Sequence, residues 1–228
     1  LQANLIRRAV SEGLGTAFLL AVVVGSGIMG ERLAGGNTAI ALLANTVATG
    51  APLVCLISTF APVSGAHFNP AVTLSESFQG KLIWRDAFVY IASQIIGAFA
   101  GVAVANIMFG LPVFFASTKV RTGGAQWLGE FVAAFGLLMV IQTGAKFRPS
   151  MIPFTVAAYI TAAYWFTSST SFANPAVTLA RSASDTFAGI RPADAPAFII
   201  AQLFGAFAAT FFFDGYWLKR QRIKLDIK

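Results

Sequence analysis

Polar residues in this chain are gathered into short breaks between long apolar runs. Six runs are long enough, or nearly so, to cross about 30 Å of hydrocarbon at about 1.5 Å per helical residue. They cover roughly Ala9 to Met29, Thr38 to Phe60, Ala87 to Phe109, Ala125 to Gly144, Met151 to Thr167 and Ala195 to Phe213. The fifth is short and needs flanking residues to span. Two further apolar stretches, 69–79 and 174–184, reach only about 16 Å as helices, which is half a bilayer. Each opens with Asn followed by Pro. The Asn oxygen can accept from a first-turn N–H, and Pro fits the first helical position, where a missing N–H costs nothing. The pattern predicts an all-α membrane protein of six spanning helices and two re-entrant half-helices.

The half-helices carry one motif twice. Asn69-Pro70-Ala71-Val72-Thr73-Leu74 recurs as Asn174-Pro175-Ala176-Val177-Thr178-Leu179, 105 positions later. Other segments repeat in step: Glu12 and Glu130 each open the first span of a half, and Gln94-Ile95-Ile96-Gly97-Ala98-Phe99-Ala100 parallels Gln202-Leu203-Phe204-Gly205-Ala206-Phe207-Ala208. The order is span, span, half-helix, span, and then the same again. An odd number of crossings turns the second copy upside down in the membrane. The reading is one channel domain over 1–228, with a first repeat in 1–117 and an inverted second repeat in 118–228. Small residues four apart, Gly97 with Gly101 and Gly205 with Ala209, suit close helix packing.

Composition changes the solvent but not the plan. Apolar residues make up 57% of the chain and charged residues 11%, too apolar for a water-soluble domain of 228 residues. The net charge of +7 does not form a nucleic-acid face, because the sixteen Lys and Arg sit in the breaks between runs. With the N-terminus cytoplasmic, eleven of them fall inside, among them Arg7, Arg8, Lys81, Arg85 and the basic tail after Trp217. Five fall outside: Arg32, Lys119, Arg121, Arg181 and Arg191. That bias favours an inner (plasma) membrane protein with both termini cytoplasmic, and it brings the two Asn ends together at the midplane from opposite faces. The first apolar run is too long for the core of a cleaved signal and is read as part of the fold.

Candidate chemistry is sparse. A single histidine, His67, and a single cysteine, Cys55, leave almost no material for a metal centre or a Ser-His-Asp site, and no cofactor motif is visible. No enzymatic role is expected. Irregular backbone at membrane depth survives only where it is buried in protein or lines a watery cavity, so two re-entrant stretches imply a polar path. Their N-termini aim partial positive charge at one point, which opposes cations and not neutral solutes. Asn69 and Asn174 are either helix caps alone or caps that also offer an NH₂ to a passing oxygen. Glu12 and Glu130, costly in lipid, either support the re-entrant loops by accepting hydrogen bonds or carry protons in a coupled transporter.

Ser64-Gly65-Ala66-His67-Phe68-Asn69-Pro70-Ala71 resembles the first signature of the aquaporin (major intrinsic protein) family, and Asn174-Pro175-Ala176 resembles the second. The resemblance implies a pore in each subunit of a homotetramer, passing water or small neutral solutes down their gradients. It also implies that His67 lends its backbone carbonyl to the cytoplasmic half of the pore, the alternative being a plain polar contact.

One departure from the family pattern stands out. Most members carry Arg three residues after the second Asn, at a corner of the outer selectivity filter, whereas this chain has Val177. Carried over by spacing, the other filter positions are Thr49, Ala162 and Ser171, all small. A filter of Thr49, Ala162, Ser171 and Val177 is expected to be wide and weakly charged. Val in the Arg place also resembles bacterial aquaglyceroporin-like channels encoded beside arsenic-resistance genes, which implies glycerol- or urea-like solutes and metalloid hydroxides such as arsenite. Arg181 stands one helical turn beyond Val177, as a displaced charge at the outer vestibule that bears on anionic solutes, or as a solvated helix end.

Overall fold

A computed structural model describes residues 3–213, and the basic tail after Trp217 lies outside them. Among the described residues there are eight α-helices in chain order: α1 (Leu5–Leu33), α2 (Thr38–Ser64), α3 (Pro70–Phe78), α4 (Trp84–Met108), α5 (Gly124–Phe147), α6 (Ile152–Phe166), α7 (Pro175–Arg181) and α8 (Ala195–Thr210). Helices α1, α2, α4 and α5, together with Pro192–Phe213 around α8, are long and apolar enough to cross a membrane. With 15 residues α6 is short, and a single 3-10 turn, Pro149–Met151, extends it. The outward surface keeps apolar side chains exposed, as in the stripe Ile6, Val10, Leu14 and Phe18 at one-turn spacing. This is the face of a helix solvated by lipid rather than water.

Asparagine starts four of the helices. Asn4 caps α1, Asn37 caps α2, Asn69 caps α3 and Asn174 caps α7, each accepting backbone N–H groups of the first turn. Both half-helices are shorter than their apolar stretches. In the second, Ser182 to Ser184 leave the helix because the segment after α4 runs alongside them: Phe115 N–H donates to the Ala183 carbonyl and Ser117 N–H to that of Ser182. The linker therefore straps the end of α7 instead of lying free.

Glycines set the closest helix approaches. A Cβ on Gly97 would stand 2.1 Å from the Gly13 carbonyl oxygen, and one on Gly101 would stand 2.1 Å from that of Ala17, so α4 lies directly on α1. In the second half a Cβ on Gly205 would meet the Phe131 carbonyl at 2.3 Å, laying α8 on α5. Such contacts suit membranes, where dispersion between close backbones replaces the hydrophobic effect. Gly97→Val is expected to cost about 1–3 kcal/mol by overpacking, measured as a lower melting temperature in detergent. Gly124→Ala, whose added Cβ would meet nothing within 4 Å, serves as the control, and equal stability of the two would mean that α1 and α4 do not meet at Gly97.

Candidate functional site

The two half-helices meet through reciprocal amide bonds. Asn69 Nδ2 donates to the Ala173 carbonyl at 2.8 Å, and Asn174 Nδ2 donates to the Phe68 carbonyl at 2.8 Å. Each Asn spends its Oδ1 on its own helix, Asn69 on the Ala71 N–H and Asn174 on those of Ala176 and Val177. Pro70 and Pro175 occupy the first helical positions, where no N–H is needed. Ala71 and Ala176 are buried beside them, small enough for the ends to touch.

The loops feeding these ends are left-handed at matching places. Positive φ occurs at Gly65, Ala66 and Phe68, and again at Thr170, Ser171 and Ala173, each pair 105 positions apart. Non-glycine residues adopt this region at a cost, so the surrounding contacts must hold them there. Two carboxylates do so. Glu12 accepts from Ser64 Oγ, the His67 and Phe68 backbone N–H groups and Gln94 Nε2, over 2.7–3.0 Å. Glu130 accepts from the Phe172 and Ala173 N–H groups at 2.8 and 2.9 Å and from Gln202 Nε2. Both Glu side chains are fully buried.

Gln94 and Gln202 also tie each carboxylate to its half-helix, donating to Thr73 Oγ1 at 2.9 Å and Thr178 Oγ1 at 2.7 Å. The repeated Thr is therefore a docking residue. Its signal was present in the sequence, since the Gln segments and the Thr both repeat, but no spacing rule says that they touch.

With their N–H groups directed to Glu12, the loop residues leave carbonyls to the interior. A cavity of about 270 Å³ runs along them, lined on one side by Gly65, His67, Asn69 and Glu76 and on the other by Asn174, Ser171, Val177 and Arg181. Neither Glu12 nor Glu130 lines it. The carbonyls of Ala66, His67, Ser171 and Phe172 take no hydrogen bond from the described residues. The His67 ring lies within hydrogen-bond distance of Thr73 Oγ1, 3.1 Å from Nδ1, and packs edge-on against Tyr90.

Of the four expected filter residues, three line the cavity: Thr49, Ser171 and Val177. Ala162 does not; it is exposed on the outer face of α6. The inward stripe of α6 is Ile152, Val156, Ile160 and Tyr164, four residues apart, and counting back from Asn174 misses it by part of a turn. Tyr164 takes the place, its hydroxyl 3.3 Å from Thr49 Oγ1. That one-turn stripe was legible in the sequence, but the number of residues in the loop before Asn174 does not reveal it. Cys55 is exposed away from this wall.

Arg181 is not solvated. It is 2% exposed, its Nε donates to the Ala188 carbonyl, and its guanidinium lies 3.4 Å from the Phe172 ring centroid. The segment 182–191 that supplies Ala188 is fastened to the linker. Asp185 accepts from the Thr118 N–H at 2.9 Å, and this bond holds its carboxyl below the usual carboxylate range. Lys119 Nζ reaches the Phe187 carbonyl at 2.9 Å, and burial lowers its pKa from the ordinary lysine value. Arg121 passes underneath, donating to the carbonyls of Gly189 and Ser169.

Crossed half-helices capped by Asn-Pro-Ala around an interior cavity define a class of membrane proteins with a re-entrant pore. The chain belongs to the major intrinsic protein family, whose profile matches residues 1–167. It is 57% identical to aquaglyceroporin AqpS of Rhizobium meliloti (strain 1021) over 90% of this chain and 88% of that protein. A probable glycerol uptake facilitator protein of Thermotoga maritima is 30% identical over 60% of this chain and 64% of its own length. Aquaporin NIP1-1 of Arabidopsis thaliana is 27% identical, and the chain spans about half of that plant protein, 48%. Among solved structures, the aquaglyceroporin from Plasmodium falciparum superposes with a TM-score of 0.72 at 19% identity, covering 93% of this chain and 97% of that one, a likeness of fold alone.

Removing a carboxylate here strands buried donors. Glu130→Ala leaves two backbone N–H groups and Gln202 without their acceptor, and each stranded donor costs about 1–3 kcal/mol. A large drop in melting temperature is expected, with Glu130→Gln, which keeps one acceptor oxygen, falling between it and the parent. Wild-type stability in Glu130→Ala would contradict the support role.

Proposed function

We propose that the protein is a passive membrane channel for small neutral solutes: water, glycerol- or urea-like molecules, and metalloid hydroxides such as arsenite. One observation carries this reading. The cavity passes the two Asn-capped ends while Glu12 and Glu130 stay buried, hydrogen-bonded and off its wall; Glu76, near the end of α3, does line it and is ion-paired with Lys81. A proton-coupled transporter, the other reading, needs Glu12 or Glu130 in contact with the path. The free carbonyls of Ala66, His67, Ser171 and Phe172 supply acceptors to solute hydroxyl and amide groups, and the half-helix N-termini oppose cations.

The outer constriction in this reading is Thr49, Tyr164, Ser171 and Val177. Its polar atoms are hydroxyls, and Val177 brings a methyl surface, so it suits uncharged solutes bulkier than water. The aquaglyceroporin name of the relative at 57% identity supports the same solute class. The assembly is a homotetramer with a pore in each subunit, in the inner (plasma) membrane with both termini cytoplasmic, built from an inverted pair of repeats, 1–117 and 118–228.

Liposomes containing the protein should swell faster than empty ones in urea or glycerol gradients, with a rate unchanged by a protonophore. No flux beyond empty liposomes would overturn the proposal. Val177→Arg should reduce glycerol and urea permeation more than water permeation, and equal loss of all three would count against Val177 as a size filter.

A further inference from the structure

Val177 leaves the position of the usual filter charge apolar, yet the constriction is not without a cation. Arg181, one turn further along α7, lines the same cavity and is 2% exposed. Its guanidinium is seated: Nε is bonded to the Ala188 carbonyl, and its plane lies over Phe172, whose ring also lines the cavity. A second guanidinium, that of Arg121, stands 5.0 Å from the centroid of the same ring, bonded to the Gly189 and Ser169 carbonyls. Among the described residues neither guanidinium is ion-paired with a carboxylate, although the Arg121 backbone N–H donates to Asp194 at 2.9 Å. A buried cation with no carboxylate in contact needs other compensation, and here it comes from carbonyl dipoles, a π face and the more distant carboxylate of Glu130. Among the described residues the terminal nitrogens of Arg181 find no acceptor, and the residue lines the cavity. Nearby, Ser171 is 3% exposed, and its Oγ has no hydrogen-bond partner among the described residues although it lines the same wall.

We propose that Arg181 is the specificity-determining charge of the outer constriction: seated on Phe172 and the Ala188 carbonyl, it excludes cations in place of the arginine missing at position 177. The proposal rests on the channel reading and deepens it. A positive charge with no carboxylate in direct contact, at a low-dielectric constriction, repels a passing cation, while a neutral solute of the same shape meets only N–H donors and the Ser171 hydroxyl. The same charge is permissive toward anions. Arg121, behind the ring and off the cavity wall, is a positioning residue that adds to the field. Displacing the charge by one turn leaves the Val177 level open to bulk while keeping the barrier, so solute width and charge selection are handled by different residues.

Urea and guanidinium have nearly the same planar shape and differ in charge, so their flux ratio in proteoliposomes reads the barrier. In the wild-type protein guanidinium should cross at least tenfold more slowly than urea. Arg181→Met should raise the guanidinium-to-urea ratio at least tenfold, and Arg181→Lys, which restores a charge, should return it toward the wild-type value. Arg181→Gln keeps N–H donors without charge and carries the same comparison if the Met variant does not insert; its ratio should rise as well. A ratio unchanged in an inserted uncharged variant, or wild-type guanidinium flux equal to that of urea, would overturn the proposal. Absence of urea flux in the wild-type protein would instead overturn the channel reading on which it rests.

Discussion

Backbone that leaves a helix inside hydrocarbon must find partners for its N–H and C=O groups, and this constraint organises the molecule. The solution is reciprocal. Each half-helix end gives its Asn amide to a carbonyl of the opposite loop, so neither end is satisfied without the other. Each loop's N–H groups go to one buried carboxylate, Glu12 or Glu130, which a Gln from the following spanning helix fixes against the half-helix Thr. Once the donors are absorbed on the protein side, several acceptors are left over. Those acceptors face the cavity, so the wall of the path follows from saving the loops.

The same economy explains the strained backbone. Left-handed residues at 66 and 68, and at 171 and 173, sit where each loop turns into its half-helix. The strain is held by Glu12 and Glu130, which is why two carboxylates persist in a region where charge is costly.

Much of this was legible in the sequence. The duplicated Asn-Pro-Ala-Val-Thr-Leu located both half-helices, and the paired Glu and Gln segments exposed the two-fold plan, because repetition survives without any knowledge of contacts. The opposite face of the molecule was less legible. Counting residues back from Asn174 points to Ala162, but a helix presents a stripe rather than a position, and the turns between Thr167 and Asn174 set which stripe faces inward. Tyr164 therefore stands where Ala162 was expected. The sequence places Arg181 one turn beyond Val177 but does not distinguish a solvated helix end from a guanidinium buried over Phe172. Its seat comes from Ala188, on a strap fixed by Asp185 and Thr118 far along the chain, a long-range arrangement with no local signature.

The central claim is that the path is open to neutral solutes and uncoupled from proton movement. The most direct test is the final internal concentration of labelled glycerol or urea in proteoliposomes carrying an imposed pH gradient. For a passive channel, internal and external concentrations become equal for either sign of the gradient. Accumulation above the external concentration that reverses when the pH gradient is reversed would contradict it.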